Sequence, residues 1–216
     1  QGETFDYPEE FFKERIHNIR RPRPDDFQIK KAVEKIKNSK KPLIISGGGV
    51  FYSDAMDELG NFAVKHNIPV TQTVMGYSTM KKDHSHFVGP IGGLGGKAAN
   101  NLAKETDLAI CIGTKLADFT TGSWANFENP EFKLVSINIA RHDANKHLAE
   151  AVIGDAKVTL TELSNAIGDW KSSDSWHKKS QVELKSWNEY VDKESGPTNQ
   201  ELPSYAHAVG AIYRNS

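Results

Sequence analysis

The chain has 216 residues, with 27 Lys and Arg against 28 Asp and Glu, so its formal net charge of −1 offers no general electrostatic attraction for nucleic acid or acidic lipid. Its 38% of hydrophobic residues suffices for one ordinary domain core with appendages, yet no apolar run approaches the roughly 20 residues of a membrane-spanning helix. Gln1 to Arg23 is polar and charged and lacks a signal-peptide core, and the single cysteine, Cys111, excludes an internal disulfide and suits a reducing cytoplasm.

Tyr7 to Ile19 carries Phe11, Phe12, Ile16 and Ile19 at helical spacing, which predicts a short amphipathic segment. Arg21-Pro-Arg-Pro24 then breaks any helix and reads as an extended linker, with Asp25 or Asp26 placed to cap the next one. Ile29, Ala32, Val33 and Ile36 make one face of that helix. Basic residues gather at Arg20, Arg21 and Arg23 and at Lys37, Lys40 and Lys41, and read as solvated linker and helix-end charges.

From there strands and helices alternate. Lys40-Lys-Pro-Leu-Ile-Ile-Ser-Gly-Gly-Gly49 is a strand from Leu43 to Ser46 running into a glycine turn, and its lack of alternation predicts burial on both faces. A helix near Ser53 to His66 buries Ala55, Met56, Leu59, Phe62 and Ala63, and a second strand spans Pro69 to Thr73. Gly76 to Gly96 is irregular, with a short third strand around His86 to Val88. A helix from Lys97 to Lys104 feeds the strand Asp107 to Ile112, where Cys111 belongs to the core. A long loop leads to the strand Lys133 to Ile139. A last strand, Ala151 to Ile153, passes through Gly154 and the N-cap Asp155 into a helix through Leu160, Leu163 and Ile167. The pattern is α/β, with about six strands in a mainly parallel sheet and helices on both faces. Beyond it, Trp176, Ser180, Leu184, Trp187 and Val191 predict a long helix whose tryptophans cover neighbouring domains. Ser195-Gly-Pro197 ends that helix, and Leu202 to Tyr213 opens a new amphipathic one.

Ligands of such sheets bind beyond the strand C-termini at the switch point, where Gly47, Gly48 and Gly49, Gly113-Thr114 and the turn after Asn138 converge. Gly47 to Tyr52 lacks the third glycine of a dinucleotide fingerprint and the Lys-Ser or Lys-Thr of a P-loop, so the triplet reads either as a structural turn or as a ligand contact. Gly89-Pro-Ile-Gly-Gly-Leu-Gly-Gly96 leads into a helix and reads either as an anion cradle or as a flexible loop. Asp118-Phe-Thr-Thr-Gly-Ser123 puts Asp118, Thr120, Thr121 and Ser123 just past a strand end, as substrate-proximal candidates or as a solvated turn. His84, His86, His142 and His147 lack zinc-site spacing, and there is no Gly-x-Ser-x-Gly elbow, so no metal ligand and no catalytic nucleophile is expected here.

Five segments, Lys41-Pro-Leu-Ile-Ile-Ser-Gly-Gly-Gly49, His66-Asn-Ile-Pro-Val70, Asp107-Leu-Ala-Ile-Cys-Ile-Gly-Thr114, Phe132-Lys-Leu-Val-Ser-Ile-Asn138 and Gly154-Asp-Ala156, occur in that order. Together, from about Asp25 to Ile167, they resemble the middle domain of thiamine-diphosphate enzymes, a superfamily that includes acetohydroxyacid synthase and pyruvate oxidase. Gly47 to Ser53, the loop Thr114 to Ser123 and the segment Asn138 to His147 look most like the branch that hydrolyses a C–C bond of a cyclic dione in myo-inositol catabolism.

The resemblance implies a three-layer Rossmann-like fold of the deoxyhypusine-synthase-like NAD/FAD-binding type, with helical N- and C-terminal linkers. It implies a linker at 1–24 from a missing pyrimidine-binding domain, a central domain at 25–168, a helical connector at 169–200 and, at 201–216, the start of a missing diphosphate-binding domain. Thiamine diphosphate and magnesium would be held by those missing domains of the same polypeptide, a homo-oligomer at full length. Gly154-Asp155-Ala156 and Gly168-Asp169-Trp170 lack the last glycine of the family's metal motif. This segment alone is expected to bind no cofactor and to be inactive. The alternatives are an FAD-binding central domain of the acetohydroxyacid-synthase type, with Gly47, Gly48, Gly49, Gly113 and Thr114 as nucleotide-pocket candidates, or a stand-alone nucleotide-binding module.

Overall fold

In the computed structural model, which describes residues 4–215, six strands form one parallel sheet. They are β1 (Pro42–Ser46), β2 (Val70–Gln72), β3 (Phe87–Pro90), β4 (Leu108–Ile112), β5 (Lys133–Asn138) and β6 (Glu150–Ile153). The helices are α1 (Asp26–Asn38), α2 (Gly48–Tyr52), α3 (Met56–His66), α4 (Lys97–Glu105), α5 (Asp118–Thr121), α6 (Arg141–Ala144), α7 (Ala156–Ile167), α8 (Asp174–Glu194) and α9 (Tyr205–Asn215). The strand order β3-β2-β1-β4-β5-β6 places the reversal of chain progression between β1 and β4. There Ile44 pairs with Ile110 and Ser46 with Ile112.

Successive side chains on a strand point to opposite faces, and here both faces are dry. Ile44, Ile110, Val135 and Val152 pack with Ile36 of α1, Leu59 and Phe62 of α3 and Leu160 and Leu163 of α7. Leu43, Ile45, Ala109, Cys111 and Leu134 pack with Leu102 of α4 and Trp176 of α8. This three-layer α/β arrangement is the one the strand–helix alternation predicts. Burial raises the Cys111 thiol far above its ordinary pKa, which makes it a packing group and not a nucleophile.

Several local expectations change. Tyr7 to Ile19 forms no amphipathic helix: Glu9–Phe12 make one 3-10 turn, and Phe11, Phe12, Ile16 and Ile19 are exposed. A short helix needs a tertiary partner to persist, and none of these residues is buried against one. Residues 1–3 of the 1–24 linker and residue 216 lie outside the described residues. The third strand begins at Phe87, and the β2–β3 register shifts between Val70 and Gln72. The glycine triplet is not a tight turn, since Gly47 is extended and α2 begins at Gly48. The tryptophans of α8, expected to stand exposed, pack on this chain's own core. Trp176 is 3% exposed and donates Nε1–H to Pro42 O at 2.8 Å, while Trp187 packs against the second core.

Asp155 ties the linker to the α3/α7 layer. Its Oδ1 accepts from Lys157 N and Val158 N, capping α7, and its Oδ2 accepts from Ser53 Oγ at 2.9 Å and Arg21 NH1 at 3.0 Å. Asp155→Ala removes the cap, strands the buried Ser53 hydroxyl and breaks the Arg21 ion pair, so it should lower unfolding stability by about 2–3 kcal/mol. Urea unfolding followed by circular dichroism checks this, and a loss below about 0.5 kcal/mol contradicts it.

Candidate functional site

The carboxyl ends of β1 and β4 open onto a cleft of 540 Å³ at the switch point. Gly48, Gly49, Gly113, Thr114, Thr120 and Asn138 line it, whereas Gly47 is buried and does not. The glycines are required by close approach. A Cβ on Gly49 would lie 2.6 Å from Gly113 Cα, one on Gly47 2.5 Å from Gly113 O, and one on Gly48 2.9 Å from Met75 O. Three amides at this crossing are engaged as well: Gly47 N donates to Ile112 O at 2.8 Å, Gly49 N to Gly113 O at 2.9 Å, and Gly113 N to Ile137 O at 2.8 Å. These amides make no phosphate cradle, and nothing in this geometry favours a flavin.

The glycine-rich loop before α4 is likewise closed upon itself. Gly92 N donates to Asn100 Oδ1, Gly93 N to Phe119 O, Gly95 N to Gly92 O and Gly96 N to Pro90 O. Asn100 Nδ2 returns a bond to Gly92 O at 3.0 Å, so one side chain of α4 pins the loop. The loop thereby carries α5 as a neighbour, which brings Phe119 and Thr120 to the cleft.

Within the 115–123 loop the candidates separate. Thr120 faces the cleft, while Asp118 and Ser123 are exposed beside it and do not line it. Thr121 is fully buried, and its Oγ1 accepts from Trp124 N, so its hydroxyl holds the turn. Leu116, Ser123 and Trp124 all adopt positive φ, at 51°, 52° and 70°. Non-glycine residues held there cost of order 1–3 kcal/mol each, and such strain concentrates at functional loops. The sequence did not point to Tyr52, Met75 and Leu94, which with Phe119 form an apolar collar round the cleft, each between 71% and 78% exposed. A bulky apolar residue inside a glycine-rich loop is the one signal that could have found them. Lys115 and Asp143 add a charge of each sign.

The histidines divide differently from their sequence spacing. His84 and His86 lie 5.9 Å apart by ring centroid, and His86 stacks on His177, which the sequence did not single out. His147 packs edge-on against Trp124.

Residues 29–163 match the family described as thiamine pyrophosphate enzyme, central domain. With the six-stranded parallel sheet, this shows that the chain belongs to that family. Among curated proteins it is similar to the 3D-(3,5/4)-trihydroxycyclohexane-1,2-dione hydrolase of Clostridium perfringens strain 13, 42% identical over 193 residues, covering 89% of this chain and 30% of the relative. The same-named hydrolase of Geobacillus thermodenitrificans is 36% identical over 98% of this chain and 34% of its own length. That of Clostridium tetani is 47% identical over 77% of this chain and 26% of its own. The chain therefore spans about a third of the length of the relatives it matches.

The acidic residues here do not fit a magnesium–diphosphate site. All four acceptor positions of Asp155 are taken by Lys157 N, Val158 N, Ser53 Oγ and Arg21 NH1. Asp169 lies past the end of α7, and a helix that begins beyond the β6 carboxyl end finishes on the opposite side of the sheet from the cleft.

If close approach is what Gly49 supplies, Gly49→Ala should destabilise the chain by about 1–3 kcal/mol through overpacking. Gly60→Ala, in α3 with its nearest neighbour His84 Nε2 at 3.4 Å from the added Cβ, should stabilise it by about 0.5–1 kcal/mol through helix propensity. Paired thermal melts of the two variants decide, and equal effects would remove the argument.

Proposed function

We propose that this chain is the central domain of a thiamine-diphosphate-dependent hydrolase that opens 3D-(3,5/4)-trihydroxycyclohexane-1,2-dione to 5-deoxy-glucuronate in myo-inositol catabolism. What carries the reading is the similarity to proteins of that name along nearly the whole chain, not only across the family core. In this reading 1–24 arrives from a pyrimidine-binding domain, 25–168 is the central domain, 169–200 connects, and 201–216 opens a diphosphate-binding domain. Those flanking domains hold thiamine diphosphate and magnesium and perform the chemistry. The whole polypeptide is a cytoplasmic homo-oligomer. No helix among the described residues is long and apolar enough to cross a membrane.

The contribution of this chain is mechanical and steric. A sheet dry on both faces holds the cleft rigid, and the apolar collar of Tyr52, Met75, Leu94 and Phe119 is surface that a neighbouring domain would cover. Thr120 presents a hydroxyl at the cleft, Asp118 and Ser123 stand exposed beside it as a carboxylate and a second hydroxyl within the same loop, and Thr121 holds their turn.

The whole polypeptide, supplied with thiamine diphosphate and magnesium, should consume the dione, while the 216-residue chain alone should not. Calorimetric titration of the chain with thiamine diphosphate should show no micromolar binding; such binding, or a flavin spectrum in the purified protein, sinks the assignment of roles. In the whole enzyme Asp118→Ala with Thr120→Val should lower kcat/KM for the dione at least about tenfold, or about 1.4 kcal/mol, with unchanged circular dichroism. Unaltered kcat/KM would remove the loop from the substrate site.

A further inference from the structure

α8 is fastened to the sheet edge at its N-terminal end. One residue after the buried Trp176, His177 lies flat on His86, with centroids 4.1 Å apart and planes inclined by 19°. His86 immediately precedes β3 and is 6% exposed. Asn67, the left-handed C-cap of α3, holds its other side. Asn67 Nδ2 donates to Ser172 O at 3.2 Å and Asp174 Oδ1 at 3.1 Å, which turns its Oδ1 towards His86 Nε2 at 3.2 Å. An amide oxygen only accepts, so His86 carries its proton on Nε2, and its Nδ1 accepts from the Ser85 hydroxyl at 3.0 Å. Both ring nitrogens of the neutral form are thus satisfied. On the facing ring, Nδ1 of His177 is buried without a hydrogen-bond partner.

We propose that the stacked His86–His177 pair is a proton-operated clasp, which releases the N-terminal half of α8 from the edge of the sheet on mild acidification while the sheet itself stays folded.

The charged groups round the stack set the sign. His84 faces His86 from the preceding loop, and on α8 Asp174 is the acidic group acting on His177. From α3, His66 binds Trp170 O and Ser164 Oγ with its two ring nitrogens, and Lys65 and Lys171 bring further positive charge. Farther along α8, Lys179 pairs with Glu105 of α4 and with Glu183, and Glu105 also meets Lys41. Burial first, then the neighbouring His177 and His84, push His86 down to about 4. Burial also lowers His177, against the pull of Asp174. Released from the stack, each ring returns towards its ordinary 6.5. The clasped state therefore binds protons more weakly than the released one. Its stabilisation is complete above pH 6.5 and is lost as pH falls towards about 4. Gln181 Nε2 also donates to Ser85 O, a tie between α8 and this edge that does not titrate. If α8 leads onward to a further domain, as proposed above, the clasp governs how firmly that domain is held.

Amide hydrogen exchange of the 216-residue chain, corrected for intrinsic rates, tests this between pH 7 and about 5, above the range of ordinary carboxylates. Protection in the first turns of α8 should fall about tenfold or more while β1 and β4 keep theirs. His177→Phe keeps a stacking ring and removes one of the two titrating groups, so it should shrink the step; His177→Phe with His86→Phe removes both and should abolish it, and Glu105→Gln should leave it in place. The full step in the double variant, or simultaneous loss from α8 and the sheet, overturns the proposal. Should that variant not fold, NMR titration of the wild-type imidazole protons decides: a His86 resonance titrating near 6.5 with α8 still protected also overturns it.

Discussion

Gly49 and Gly113 approach until neither has room for a side chain, and the rest of the structure is arranged round that approach. The parallel ladder between β1 and β4 ends at Ser46 and Ile112, but hydrogen bonding continues past it through Gly47 N to Ile112 O and Gly49 N to Gly113 O. Gly113 can turn there because its φ of +61° is open to glycine. With the two strand ends locked, α2 starts at once, and the 114–124 loop leaves in the other direction. The cleft is the space between them. Its walls are backbone, and backbone held by hydrogen bonds on both sides does not readily reshape.

This rigidity contrasts with the strain stored nearby. Leu116, Ser123 and Trp124 hold positive φ only because the surroundings fix them: Leu116 is buried in the second core, and Thr121 caps Trp124 N. The loop is thus anchored by a side chain inside the α4/α8 layer while Phe119 and Thr120 are presented at the rim. The same economy explains Asp155: a Gly-Asp pair that resembles part of a metal motif is spent on capping a helix and holding the entering linker.

Legibility varied with the range of the interactions involved. Ile29, Ala32 and Ile36 announced α1, and the unbroken apolar runs at 43–45 and 108–112 announced strands buried on both faces, because those patterns are local and each residue answers to one core. The hydroxyl-rich turn at 118–123 could be located but its members could not be ranked, since Thr120 and Thr121 differ only in which side of one helical turn meets the cleft. Helix α2 was hidden because three glycines argue for a turn, and only crowding against Gly113 and Met75 explains them in a helix. Tyr7 to Ile19 erred the other way: its helical spacing had no surface to bury against.

By itself the sequence determined the class of fold, the order of its strands and longer helices, the N-cap Asp155, the choice of Asp25 or Asp26 as the cap of α1, and the family, because all of these follow from short-range periodicity, turn chemistry and motif order. Only the tertiary structure decided that the amides of Gly47, Gly49 and Gly113 are already bonded, that Asp155 has no acceptor to spare, that the α8 tryptophans pack on this chain's own core and that His86 and His177 stack. Each of those depends on groups tens of residues apart along the chain, and hydrogen-bond capacity and burial are properties of the space they share.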